Sequence, residues 1–180
     1  MKLTIVSGTN RRDNLSLLVA RRCQEMLAAM GCAAELLSLE QVPQSLAFSY
    51  LDNPRTGEFA WIQELVDSST HFLFVVPEYN GSIPGVLKLF IDACDYPDSF
   101  RGKSAAMVGI AAGERGNEVG LNHLRDILAF FGMDVFGQTL TLARIRQKVQ
   151  RGGGFRDEAV EADLEDMLRA YHAQQLQVRS

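Results

Sequence analysis

Thr9, Arg11, Arg12, Asn14 and Ser16 follow directly on the apolar run Leu3–Val6 and bring hydroxyls, an amide and two guanidinium groups into one short loop. Those are the groups that hold an anion. From Asn14 on, Leu15, Leu18, Val19, Cys23, Met26, Leu27 and Met30 recur at helical spacing. The predicted helix opens on unpaired backbone N–H groups and the positive end of its dipole. Strand, polar loop and helix in this order make a seat for a phosphate-sized group. The same stretch also suits an ordinary N-cap at Asp13 or Asn14, and both readings stand at this stage.

What is missing narrows the phosphate's owner. The loop has neither G-x-x-x-x-G-K-[ST] nor G-x-G-x-x-G, so a triphosphate cradle and a dinucleotide fingerprint are both absent. A terminal monophosphate held by hydroxyls, as in flavin mononucleotide (FMN), fits better. A second stretch, Pro77-Glu78-Tyr79-Asn80-Gly81, offers a flat ligand Tyr79 as a wall, Asn80 as a two-way hydrogen bonder and Gly81 for close backbone approach. Glu78 reads either as a general base or as a turn or interface anchor. A third stretch, Gly113-Glu114-Arg115-Gly116-Asn117, can close over the opposite edge.

The elements that must position these loops alternate along the chain. Strands are predicted at 2–7, 33–39, 71–76 and 104–112, with a fifth at Asp134–Gly137 running on to Leu140. His71–Val76 is apolar throughout, as a central parallel strand covered on both faces should be. Helices are predicted after Asn14, over Glu58–Val66, after Pro84, and through Leu121–Phe131, with stops at Gly31 and Gly132. Residues 41–56 read as a surface loop with a short helical turn near Leu46. This order implies an α/β fold with a doubly wound parallel sheet and helices on both faces. Ligands then collect beyond the carboxyl ends of the strands, where loops 8–16, 77–84 and 112–117 meet. In the tail, Arg144, Arg146, Lys148 and Arg151 precede Gly152-Gly153-Gly154 and an amphipathic helix marked by Val160, Leu164, Met167, Leu168 and Tyr171. That basic cluster reads as a solvated linker or as a contact to a cofactor phosphate.

Composition sets the outer limits. The 180 residues, 47% apolar and 22% charged, are those of one globular domain. A net charge of −4 gives no reason to expect a nucleic-acid partner. No stretch is long enough to cross a bilayer and the amino terminus is unlike a signal peptide, so a cytoplasmic protein without a membrane partner is expected. Cys23, Cys32 and Cys94 lack disulfide or metal spacing and read as core residues, and no metal site is expected. There is no G-x-S-x-G elbow, no Cys-x5-Arg and no histidine spaced for a triad. His71, His123 and His172 read as structural or solvent-facing.

The segments Gly8–Ser16 and Pro77–Lys88 resemble the two signatures of the NADPH-dependent FMN reductase family, flavodoxin-like proteins that include quinone, azo-dye and chromate reductases. The first signature usually reads Gly-Ser-x-Arg-x-x-Ser-x-Asn or Thr, and here Thr9 and Asn14 replace serines, keeping the hydrogen-bonding capacity. After Lys88 the family's Asn-Ala-Ile-Asp-Trp is replaced by Leu89-Phe90-Ile91-Asp92-Ala93, and the third loop lacks the usual Gly-Gly pair. The resemblance implies a flavodoxin-like, five-stranded sheet of order 2-1-3-4-5. The FMN-binding domain is set at residues 1–143, with 144–180 as a linker and helix of the same unit. It further implies that Thr9, Arg11, Asn14, Ser16 and the backbone of Leu15 hold the FMN phosphate and that Pro77, Glu78, Tyr79, Asn80 and Gly81 line the isoalloxazine. Gly113 and Glu114 complete the expected cofactor contacts at the third loop.

The function so implied is an FMN-dependent oxidoreductase taking hydride from NADPH or NADH and passing it to a small-molecule acceptor, a quinone, azo compound or similar. The flavin carries the chemistry, so no catalytic side chain is required. The alternative is a non-enzymatic FMN electron carrier or redox-responsive binding protein. Family members usually form homodimers or homotetramers, and the same is expected here.

Overall fold

The computed structural model describes residues 2–49, 57–150 and 154–177. Its elements run β1 (Leu3–Ser7), α1 (Leu15–Ala29), β2 (Ala34–Ser38), a single turn α2 (Leu46–Ser49), α3 (Ala60–Ser68), β3 (His71–Pro77), α4 (Gly85–Ala93), β4 (Ser104–Ile110), α5 (Glu118–Phe130), β5 (Asp134–Val135), β6 (Leu140–Leu142), a single turn α6 (Ile145–Lys148) and α7 (Glu158–Gln177). Residues 50–56 of the expected surface loop, and Arg151, Gly152 and Gly153 of the expected linker, lie outside the described residues.

All strand pairs are parallel, in the order β2-β1-β3-β4-β5, with β6 also on β4. This is the flavodoxin-like winding, in which the chain starts at β1, turns one way to β2 and then the other way to β3. Period-two alternation sorts the side chains of β3 between the two layers. Phe72, Phe74 and Val76 join α3, α4 and α5 in one core, while Leu73 and Val75 join α1 and α7 in the other.

The fifth position differs from the expectation of one continuous strand. β5 pairs Ser104 and Ala105 of β4, and β6 pairs Val108, Gly109 and Ile110, so the four residues 136–139 stand opposite only two. Phe136 explains the interruption. Its backbone N–H donates to the Ala105 carbonyl at 2.8 Å, and its ring turns into the core to meet Tyr171 of α7 at 5.4 Å between centroids.

The tail therefore belongs to the main core. Leu164, Met167 and Leu168 are fully buried, and an Arg22–Glu161 ion pair fastens α7 to α1. The cysteines are buried as well, and burial pushes the Cys23 thiol up to about 12, which leaves it protonated and unreactive at neutral pH. His71 is buried with Nδ1 on the Thr70 hydroxyl at 2.6 Å, whereas His123 is exposed. No helix among the described residues is long and apolar enough to cross a membrane, and none of their His, Cys, Asp and Glu side chains form a group that could hold a metal.

Candidate active site

The carboxyl ends of β1, β3 and β4 release three loops on the same rim of the sheet. The β1 loop leaves through Gly8, whose N–H donates to the Val75 carbonyl at 2.9 Å. A Cβ there would lie 3.1 Å from that same oxygen, so the loop runs closer to β3 than a larger residue permits.

Asn14 then organises the start of α1. Its Oδ1 accepts from the Leu17 N–H at 2.7 Å and the Ser16 hydroxyl at 2.6 Å, with a longer contact from the Ser7 hydroxyl. Its Nδ2 donates to the Arg11 carbonyl at 2.7 Å and to the Glu40 carboxylate at 2.6 Å. Asn14 is thus the N-cap, and its polar atoms are fully used inside the protein. The backbone N–H groups of Leu15 and Ser16 are left without intrahelical partners and point outward.

The β3 loop is a tight hairpin. Tyr79 and Ser82 exchange both backbone hydrogen bonds, at 3.0 and 3.1 Å, around Asn80 and Gly81, which sit at φ +52° and +74°. Two successive left-handed residues make a type I′ turn, which Asn-Gly adopts readily. The positive φ at Gly81 by itself favours glycine, and a Cβ there would meet no protein atom within 4 Å. The Ser82 hydroxyl, 2.8 Å from Nδ1 of His123, ties the hairpin to α5.

These two loops touch. Thr9 Oγ1 lies 2.6 Å from the Tyr79 hydroxyl and accepts from the Arg11 N–H at 3.3 Å, while the Arg11 guanidinium lies 4.1 Å over the Tyr79 ring. The two hydroxyls carry two hydrogens and spend one between them, so one remains to donate to a ligand. Between the loops lies a cleft of about 300 Å³. Thr9, Arg11, Asn14, Leu15 and Ser16 line one side, and Pro77, Glu78 and Tyr79 line the other.

The remaining expected contacts sit elsewhere. Asn80 and Gly81 form the exposed hairpin tip, outside the cleft lining. Gly113 and Glu114 are exposed and outside it too, and Glu114 is held by a bidentate pair with Arg144, both contacts to Nε being 2.9 Å. That carboxylate pushes the Arg144 guanidinium pKa up.

Further lining residues fall outside the contacts that the resemblance assigned, although Arg12 already stood among the anion-holding groups and Arg146 in the basic cluster. Arg12 and Asp13 extend the first loop, and Ile110 and Ala112 close the floor. Ile145 and Arg146, from the segment after β6, form a third wall. Their sequence signal was the basic cluster, which carries no pattern that distinguishes a wall from a linker. Asn117 was missed as well. Buried and left-handed at φ +73°, it donates Nδ2 to the Val76 carbonyl at 3.0 Å and so pins the end of β3 where the Tyr79 loop departs. A Cβ at Gly120 would fall 2.1 Å from its Oδ1, which explains the glycine.

The donor set fits FMN. Two free N–H groups at a helix start, a spare hydroxyl hydrogen and nearby guanidinium groups suit a phosphate. The Pro77–Tyr79 wall suits the edge of a flat ring.

Comparison with known proteins agrees with this chemistry. The description of the NADPH-dependent FMN reductase family matches residues 1–147. The chain is 25% identical to a 2-hydroxy-1,4-benzoquinone reductase of a Burkholderia species over 96% of its length and 95% of the relative's. It is 31% identical to a quinone reductase of Pseudomonas putida over 73% of its length and 71% of that protein's. Among solved structures it resembles FerB, a flavoenzyme NAD(P)H:(acceptor) oxidoreductase from Paracoccus denitrificans, with a TM-score of 0.76 at 23% identity and 94% coverage of both chains.

Proposed function

We infer the reaction from one premise: the chain belongs to the NADPH-dependent FMN reductase family. It is an FMN-dependent NAD(P)H oxidoreductase, and that membership sets aside the alternative of a non-enzymatic carrier. The acceptor we read as a quinone, on the strength of the relatives named for that activity. The observation that carries the assignment to this cleft is the meeting of the Asn14-capped helix start with the Tyr79 wall.

Bound FMN supplies the hydride transfer between nicotinamide and acceptor. The chain's own part is to bind and orient. The Leu15 and Ser16 N–H groups, the Thr9–Tyr79 hydroxyl pair and the Arg11 guanidinium take the phosphate end, and Pro77, Glu78 and Tyr79 set the position of the ring. Asn80, Gly81, Gly113 and Glu114, all at exposed edges of this rim, contact the ring or the nicotinamide from outside the cleft. Asn117 fixes the β3 terminus, and Ile110, Ala112 and Ile145 add apolar surface to the cleft.

The protein as purified is expected to show flavin absorption and to oxidise NADPH or NADH when a benzoquinone is supplied. A colourless protein that neither quenches FMN fluorescence nor turns over either nicotinamide overturns the assignment.

The working form is a homodimer or homotetramer of cytoplasmic chains, each acting as one unit from the FMN-binding region 1–143 through the tail 144–180, with a small-molecule acceptor and no nucleic-acid partner. Support comes from an apolar groove of about 460 Å³ between α4 and α5, beside which Tyr96 and Phe130 are 65% and 74% exposed and stack at 6.1 Å. Exposed neighbouring aromatics mark an interaction face. Light scattering on the purified protein should give at least twice the 19.9 kDa chain mass, reduced by Phe130→Asp. A monomer at micromolar concentration refutes this reading.

A further inference from the structure

The charges around the phosphate seat do not balance a dianion without help from the tail. Arg11 and Arg12 are outnumbered by three carboxylates, Asp13 and Glu78 in the lining and Glu40 on the Asn14 amide at 2.6 Å. The start of α1 adds only about half a positive elementary charge. A phosphate monoester at neutral pH carries about −1.5 to −2. The cleft holds one more cation, Arg146, and it has no ion-pair or hydrogen-bond partner among the described residues.

Its position is built. After β6 the chain is pinned by Arg144 N–H to the Gly113 carbonyl and Ile145 N–H to the Ala111 carbonyl, both 2.9 Å. Arg144 adopts φ +51°, a left-handed conformation rare for a branched or long side chain, and is held there by the Glu114 pair. Ile145, 3% exposed, roots the turn in the core, and Val149 N–H returns to its carbonyl at 3.1 Å. The backbone carrying Arg146 is therefore fixed before any ligand arrives, which removes part of the ordering cost of using a long side chain.

We propose that Arg146 binds the phosphate of FMN from the tail side of the cleft, opposite the start of α1. This rests on the FMN reading above. It places a cofactor ligand outside both signature segments and gives the strained Arg144 turn its purpose.

The test is titration of flavin-stripped full-length protein with FMN and with riboflavin, which lacks the phosphate, followed by fluorescence quenching. Arg146→Ala is expected to raise the FMN Kd about ten- to a hundredfold, leave the riboflavin Kd unchanged and lower the salt sensitivity of FMN binding. Arg146→Lys should recover part of the loss. Wild-type protein that binds no FMN sinks the functional reading itself. Wild-type and Arg146→Ala proteins that bind FMN equally sink this inference alone. So does an equal loss for both flavins, which assigns Arg146 to loop shape, and so does an effect confined to the KM for NADPH but not NADH, which assigns it to the nicotinamide nucleotide's extra phosphate.

Discussion

Tyr171→Ala lowers the midpoint of thermal unfolding by about 6–20 °C while leaving the FMN dissociation constant within about twofold. Tyr171 is 2% exposed and packs on Phe136 at 5.4 Å and His71 at 6.4 Å between centroids. Truncating a buried aromatic ring costs about 3–5 kcal/mol, and each kcal/mol moves the midpoint of a chain this size by about 2–4 °C. The hydroxyl contributes much less. Its bonds to the Phe72 carbonyl and the Ser104 hydroxyl are both 3.3 Å, so Tyr171→Phe is expected to lose about 1 kcal/mol, or about 2–4 °C. Burial keeps the phenol pKa well above its usual value, so neither figure should vary with pH across the neutral range. Affinity survives because the side chain touches the first residues of β3 and β4, about 20 Å of strand away from the cleft at their far ends. Differential scanning calorimetry of the apo-proteins decides the matter, and an unchanged midpoint for Tyr171→Ala refutes the packing account.

That contrast reflects what was legible in the sequence. The apolar run at β3 and the helical spacing of α1, α4 and α5 are local signals, and the strands and helices follow from them. The helical spacing of Val160, Leu164, Met167, Leu168 and Tyr171 was equally plain, but nothing local says which surface that helix covers. Tyr171 and Phe72 are 99 residues apart, and only the folded chain brings them together. The break in the fifth strand has the same origin. The ladder stops after the Phe136 N–H, where the ring meets a partner on α7, and a pairwise contact across that distance leaves no periodicity to read.

The site divides along the same line. Donors clustered in one short loop, and Asn-Gly after a strand, declare themselves by type and spacing. Arg146 does not, because a single arginine in a basic stretch becomes a wall only through the backbone pins at Ala111 and Gly113. Asn117 is visible only once Val76 is seen to need a donor for its carbonyl. Asn14 was open to two readings, phosphate ligand and helix cap, and its hydrogen bonds show the cap, through which it shapes the loop.

An effect on the cofactor as large as that of Arg146→Ala is therefore expected at a residue whose polar atoms are all used within the protein. Asn14→Ala removes the acceptor for the Leu17 N–H and the Ser16 hydroxyl and the donor to the Arg11 carbonyl. Loss of the cap alone costs about 1–2 kcal/mol of stability. With the loop freed, the Leu15 and Ser16 N–H groups no longer converge, and the FMN Kd should rise about ten- to a hundredfold. Asn14→Asp separates capping from charge. It retains the acceptor, and aspartate caps as well as asparagine, so the helix start is preserved. Its second oxygen, however, replaces an amide donor 2.6 Å from the Glu40 carboxylate and puts a negative charge beside the phosphate seat. Like charges at that distance repel, so FMN binding by Asn14→Asp should be weaker than by Asn14→Ala at pH 8. The added Glu40→Gln change should restore part of the affinity by removing one of the two charges and returning a donor. Fluorescence titration of the four proteins at one salt concentration tests the order. If Asn14→Asp binds FMN as tightly as the wild type, the phosphate does not sit at the start of α1.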